Sequence, residues 1–265
     1  MESSFKGILY PARLPTFHRL PAPASVADLV QWFWIPEWDI EPGRTSRQHL
    51  IAYPGSNLVV QLHGVVFSGP TTRAAHQDLA GRGWAVGALL RPAAVPLFTD
   101  DPSSLQDTEV AVAADGLHRS VAEAMNTYDG GTRRERAVDA FAGWLACFAE
   151  PEVSEEALLA NRLMDVIGSD ASVIRVEDAA SELAVSQRTL QRVARKYIGL
   201  SPAALIRRRR LQDAAERTRQ DPSADLAAIA AELGYADHAH LTNDFQKYLG
   251  FTPSTYRRAV AGDGS

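Results

Sequence analysis

The sequence predicts an α+β protein with two domains, in which an N-terminal domain of short strands precedes a C-terminal domain built of helices. Three observations predict this class: strand-like patterning gives way to helical patterning near residue 117, a short segment at 150–154 interrupts the helices, and a segment is repeated in the last third of the chain. A chain of 265 residues with 46% apolar content is long enough to form two domains with a core each.

Short apolar segments separated by glycine and proline mark the N-terminal half. LVQWFWI at 29–35, NLVVQL at 57–62, VVF at 65–67 and WAVGALL at 84–90 are rich in valine, leucine and aromatic residues. Pairs such as Pro54-Gly55 supply turn signals between them. Short strands with frequent turns predict a small antiparallel barrel or sandwich.

A helical region follows the strands. Five apolar residues recur at spacings of three and four, namely Ala137, Phe141, Trp144, Leu145 and Phe148. This spacing predicts an amphipathic helix. The segment EPEVS at 150–154 has few core residues, so we place the domain boundary there, with one domain at 1–150 and the other at 155–262.

One unit occurs twice in the last third of the chain. The segment KYIGLSPAALIRR begins at Lys196, and its copy KYLGFTPSTYRR begins at Lys247. The Lys-Tyr pair of each copy ends a predicted second helix, which follows a first helix and a short turn, and Ser186 and Asp237 are the expected caps of the two second helices. Gly234 suits the left-handed turn of the second copy. Two helices joined in this way are typical of a helix-turn-helix, whose second helix enters the major groove of DNA.

A long helix is predicted between the two copies. It begins at Ser201-Pro202, a cap residue followed by proline at the first helical position, and it ends near Asp221-Pro222. Such a linker fixes the separation of the two units, so that both second helices can enter successive major-groove segments on one face of DNA. It contains four consecutive arginines at 207–210. We expect one or two of them to contact phosphate, and Arg209 to pair with Asp213.

The segment AAIAAELGYADHAHLTNDFQKYLGFTPSTYRR resembles, in order and spacing, the most specific signature of AraC/XylS-type transcriptional regulators. The likeness extends from about residue 155 to residue 260. It implies a bipartite domain of seven helices, in which two recognition helices contact bases. The DNA-binding residues predicted on these helices are Gln187, Arg188, Gln191, Arg192, Arg195, His238, Ala239, Thr242, Asn243 and Lys247.

The first unit is expected to contribute more affinity than the second. Arginine bonds bidentately to guanine and glutamine to adenine, which suits Arg188, Gln191 and Arg192 to base reading. Many members of the family carry an arginine where Asn243 stands, and asparagine is both shorter and uncharged. The sequence therefore predicts that Arg192→Ala weakens operator binding more than Asn243→Ala does.

The N-terminal half resembles the cupin-like β-barrel that senses effectors in many of these regulators, through LAGRGWAVGALLRPAAVPLF at 79–98 and the strands before it. The resemblance implies a small molecule bound inside the barrel, and following helices, including the stripe at 137–148, that form a homodimer. Aromatic walls and an arginine for an anionic group predict an effector site. Its predicted residues are Trp34, Tyr53, Trp84 and Arg91, and the alternative is that the tryptophans form the barrel core.

Composition and residue spacing restrict the remaining classes of function. The formal charge of −5 argues against a uniformly basic surface, and the N-terminus MESSFKGILY lacks an export signal, so a cytoplasmic protein is expected. Cys147 is alone and its apolar neighbours predict burial. His49, His63 and His76 show no His-X-His spacing. We therefore expect no metal site and no cofactor, and the histidine pair at 238 and 240 falls on a recognition helix.

The sequence-based interpretation is a transcription regulator rather than an enzyme. Its expected partners are double-stranded DNA, an unidentified small-molecule effector, a second copy of the chain and RNA polymerase, with no membrane. The family mostly activates transcription, although repression stays open. Two alternatives remain: an architectural DNA-binding protein whose β-domain only dimerises, and a cupin-type metal enzyme fused to a DNA-binding domain.

Overall fold

A computed structural model of the chain describes residues 16–50, 54–148 and 153–262. Within these ranges the N-terminal part forms sheets and two helices, and the C-terminal part is helical, as the sequence predicts. The strands are β1 (Thr16–Pro21), β2 (Val30–Asp39), β3 (Thr45–Leu50), β4 (Asn57–Gln61), β5 (Gly64–Ser68), β6 (Ala75–Ala80), β7 (Arg82–Leu90) and β8 (Glu109–Val112).

The strands form an open sheet rather than a closed barrel. Six of them pair antiparallel in the order β1-β2-β7-β4-β5-β8, and β3 pairs with β6 in a separate two-stranded sheet. Among the described residues the edge strands β1 and β8 do not pair with each other, and the β3–β6 ribbon does not join them. The closed barrel expected from the sequence is therefore corrected to an open six-stranded sheet with a ribbon.

One face of the six-stranded sheet is covered by α1 (Asp115–Thr127) and α2 (Gly130–Ala146). Phe33 of β2 meets Phe141 of α2 edge-on, with ring centroids 5.4 Å apart. Ala137, Phe141 and Leu145 of the apolar stripe are thus buried in their own domain and are not available for a dimer contact, whereas Trp144 is partly buried and Phe148 is exposed. Cys147 is exposed, contrary to prediction, because it follows the last residue of α2 and lies off the buried face.

Seven helices follow in the described part of the C-terminal region, the number that the resemblance implies. They are α3 (Glu155–Ser169), α4 (Val176–Glu182), α5 (Gln187–Tyr197), α6 (Pro202–Gln220), α7 (Leu226–Glu232), α8 (His238–Leu249) and α9 (Pro253–Gly262). Their buried side chains form two clusters. One joins α3, α4 and α5 to the first half of α6, and the other joins the second half of α6 to α7, α8 and α9.

The predicted caps and turns set the start of each recognition helix. The Ser186 hydroxyl accepts a hydrogen bond from the Thr189 amide at 3.1 Å, and the Asp237 carboxylate accepts one from the His240 amide at 2.7 Å. Gly234 adopts the left-handed conformation with φ +73°. These observations confirm two helix-turn-helix units, α4–α5 and α7–α8, joined by α6.

Candidate nucleic-acid interface

Helix α5 presents the predicted polar face of the first unit to solvent. Leu190, Val193 and Ala194 are buried beneath it. The exposed residues are Gln187, Arg188, Gln191, Arg192 and Arg195. A helix buried on one side and polar on the other can enter a major groove without losing its core contacts.

One predicted base reader is already paired within the molecule. Arg192 forms an ion pair with Glu156 of α3, and the Lys196 ammonium lies 2.6 Å from the same carboxylate. The hydroxyl of Tyr197 donates to Glu156 at 3.2 Å. Hydrogen bonds from Lys196 and then Arg192 lower the pKa of Glu156 to about 2. Arg188 is exposed and, unlike Arg192, forms no ion pair with any residue that the structure describes.

Helix α8 presents a less charged surface. His238, Ala239, Asn243 and Lys247 are exposed, as predicted. Thr242 differs from them, because it is half-buried and its hydroxyl oxygen is shielded from solvent. The exposed polar side chains of α8 therefore include a histidine, an asparagine, a glutamine and one lysine, and the smaller contribution expected of this unit stays a prediction.

Two arginines of the 207–210 run are buried. Arg209 pairs with Asp213 at 2.7 Å, which confirms the predicted i,i+4 contact, and it also donates to the Val173 carbonyl at 2.9 Å. Arg208 donates to the Thr71 carbonyl at 2.6 Å. Burial lowers the pKa of Arg208 to about 10. Neither guanidinium is free to reach DNA, so the expected phosphate contacts fall to the other two arginines.

Those two arginines lie towards the second unit. Arg207 donates from Nε to the fully buried carboxylate of Asp244 at 2.7 Å. The guanidinium of Arg210 lies over the ring of Tyr235, 4.4 Å from its centroid. The sequence alone did not reveal these partners, because Asp244 and Tyr235 are distant in the chain and nothing in their local pattern marks them as partners of an arginine.

The N-terminal domain contacts both helix-turn-helix units through two loops. Gln106 donates to the Gly199 carbonyl at 2.6 Å, directly after the first recognition helix. The amide of Ala74 donates to the carbonyl of Lys247 at 3.0 Å, near the end of the second. The carboxylate of Asp107 accepts from the amide of Thr72 at 2.7 Å and so ties the two loops together. Sequence patterns gave no signal for these contacts.

A second contact joins the sheet domain to α3. The side chain of Asn161 is buried, donates to the carbonyl of Asp28 at 2.9 Å and accepts from the amide of Ala93 at 3.0 Å. Arg91 pairs with Asp165 of α3 at 2.5 Å. The buried amide satisfies backbone groups of two segments, which fixes α3 against the sheet domain.

The predicted effector residues are not gathered around one cavity. Trp34 donates to the side chain of Asn57 at 3.0 Å, on the face of the sheet opposite α1 and α2. Trp84 is buried in the core on the other face, the alternative considered for it, and Arg91 faces α3. Tyr53 lies outside the described residues.

Within 16–50, 54–148 and 153–262, no group of three or more histidine, cysteine, aspartate or glutamate side chains is arranged to hold a metal ion. In the same ranges, no helix has the length and apolar content needed to span a bilayer.

Two different family models match the two halves of the chain. A family model described as a helix-turn-helix domain matches residues 179–259, and one described as a domain of unknown function (DUF6597) matches residues 18–111. A Streptomyces antibioticus protein named as an AraC-like transcription regulator is 36% identical over 124 residues, 47% of this chain and 39% of that protein. The chain therefore spans about two fifths of the length of that relative.

Two other similar proteins extend the comparison. The HTH-type transcriptional activator AarP of Providencia stuartii is 28% identical over 108 residues, which are 41% of this chain and 79% of that protein. The crystal structure of ToxT from Vibrio cholerae O395 is 12% identical, with a TM-score of 0.42 over 94% of this chain and 98% of that one.

Proposed function

Because this chain belongs to the AraC-type transcriptional regulators, we propose that it regulates transcription by binding a specific DNA sequence with α5 and α8. The observation that supports this function most directly is the pair of capped helices, each exposing a polar face, on units joined by the single helix α6. Arg188 and Gln191 would read bases from the first unit, and His238 and Asn243 from the second.

The N-terminal domain would act as the regulatory part. We propose that it ends at the segment 150–154, between α2 and α3. Its loops contact Gly199 in one unit and Lys247 in the other, so a shift of these loops would change the position of both units relative to the N-terminal domain. A small molecule that binds two arrangements of the domains unequally would then change affinity for DNA. We also propose that the protein acts as a homodimer and contacts RNA polymerase.

Selection of bound sequences from a random DNA library tests the proposed function. The wild-type chain is expected to enrich a motif with two parts about 10 base pairs apart, one for each unit. Arg188→Ala should relax the preference in one part, and Asn243→Ala should relax it in the other. Arg217→Ala removes an arginine of α6 that pairs with Glu232, and serves as the control.

The result of the selection separates regulation from architectural binding. If no motif is enriched, the protein does not recognise a sequence and the proposed function fails. A motif that Arg188→Ala leaves unchanged would place base reading on another surface.

A further inference from the structure

A cleft of about 200 Å³ lies between the two helix-turn-helix units. Ile206 and Arg210 of the linker α6 form its floor, and Arg175, at the start of the first unit, forms part of one wall. Tyr235 and His240 of the second unit form the opposite wall. The sequence predicted phosphate contacts for arginines of the 207–210 run, but neither this cleft nor a role for Arg175 was predicted, and the cleft is distinct from the exposed faces of α5 and α8.

The charge of the cleft is positive. Arg175, Arg207 and Arg210 line it, and the carboxylate of Asp244 is engaged by Arg207. Within the described residues, Nε and Nη2 of Arg210 are buried and donate to no acceptor. Buried N–H groups without an acceptor are costly, so an anion that reached this guanidinium would relieve that cost.

The position of the cleft relates it to the reading surface. His240 precedes Asn243 by three residues, and residues at this spacing are neighbours on a helix surface. The cleft therefore lies beside the exposed face of α8, between the two units. A duplex that receives both recognition helices carries its phosphates across the space between them.

We propose that this cleft binds a phosphate of the DNA backbone between the two half-sites, with Arg210 and Arg175 as its cationic ligands. The inference rests on the proposed function and adds a contact that fixes the position of the duplex without reading its sequence. A free phosphate ion offers the same charge and oxygen acceptors, so the test includes that ligand.

The test measures binding to one random-sequence duplex over a series of salt concentrations. Each phosphate contact contributes about 0.9 to the slope of log affinity against log salt. Arg210→Gln and Arg175→Gln should each reduce the slope by about that amount and weaken binding to all sequences alike. Arg217→Gln removes a charge from α6 outside the cleft and should leave the slope unchanged. Melting temperatures show whether each variant is folded, and the exposed Arg175 keeps the test valid if Arg210→Gln unfolds the chain.

A second arm adds inorganic phosphate or chloride at equal ionic strength and measures the melting temperature of the DNA-free protein. Unchanged slopes in both cleft variants would overturn the proposal. If phosphate stabilises the wild type but not Arg210→Gln while the slopes stay unchanged, the site binds a free anion and the assignment to DNA is wrong. The salt series uses a random duplex and does not depend on sequence recognition. If the cleft variants reduce the salt slope but the selection enriches no motif, the proposed function is contradicted and the cleft assignment stands.

Discussion

The two equivalent glycines after the recognition helices provide a matched test of domain docking. Gly199 and Gly250 end the repeated units, and both are left-handed, with φ +78° and +81°. A Cβ atom at Gly199 would lie 2.6 Å from the carbonyl carbon of Pro102 and 2.9 Å from the amide nitrogen of Ser103, both backbone atoms of the N-terminal domain. At Gly250 the nearest atom is the Cβ of Ala74 at 3.4 Å.

Gly199→Ala and Gly250→Ala should differ in their loss of unfolding free energy only by the steric clash with the 102–103 loop at Gly199. Each variant loses about 1–2 kcal/mol of unfolding free energy because an L-residue is strained in the left-handed region. Gly199→Ala also forces backbone of the 102–103 loop to move, and overpacking of this kind costs about 1–3 kcal/mol more. The sequence places all five tryptophans before residue 150, so fluorescence reports the N-terminal domain while circular dichroism reports mainly the helices.

Urea unfolding of the full chain, followed by both signals, measures the difference. We expect a larger loss of unfolding free energy for Gly199→Ala than for Gly250→Ala. Equal losses in the two variants would refute the reasoning, because they would show that the loop at 102–103 does not press on the first unit.

Three other predictions follow from the ion pairs and caps. Glu156→Gln frees Arg192 and Lys196, so binding to random-sequence DNA should tighten and its salt dependence steepen in fluorescence anisotropy titrations; weaker binding would contradict this. Because the pKa of Glu156 is lowered to about 2, its contribution to stability is present above its ordinary pKa and is lost as pH falls from about 4.5 towards 2. Melting temperatures over that range should fall more for the wild type than for Glu156→Gln. Ser186→Ala and Asp237→Ala should each cost about 0.5–2 kcal/mol in chemical denaturation, and no loss would mean that the caps do not hold the recognition helices.

The helical half was predictable because its signals are local. A repeat, a cap such as Ser186 and a left-handed position such as Gly234 depend on a few neighbouring residues, and each occurs where it was predicted. The four predicted strands correspond to β2, β4, β5 and β7, which carry continuous apolar segments. Strand β6, with the sequence AHQDLA, buries only Leu79 among its residues and gives no such signal.

Features that depend on distant residues could not be predicted in the same way. The consecutive arginines at 207–210 look alike in the sequence, yet Arg208 contacts Thr71 and Arg207 contacts Asp244. Their different roles come from the packing of α6 between the N-terminal domain and the second unit. The effector site was inferred from residue types and from the family resemblance, and the tertiary structure places Trp34 and Trp84 on opposite faces of the sheet.

Hydroxyl-radical footprinting on a selected DNA site tests the central claim most directly. If α5 and α8 insert from one side of the duplex, the wild-type protein should protect two backbone segments about 10 base pairs apart on the same face. Protection of a single segment, or of segments on opposite faces, would contradict a rigid pair of reading helices joined by α6.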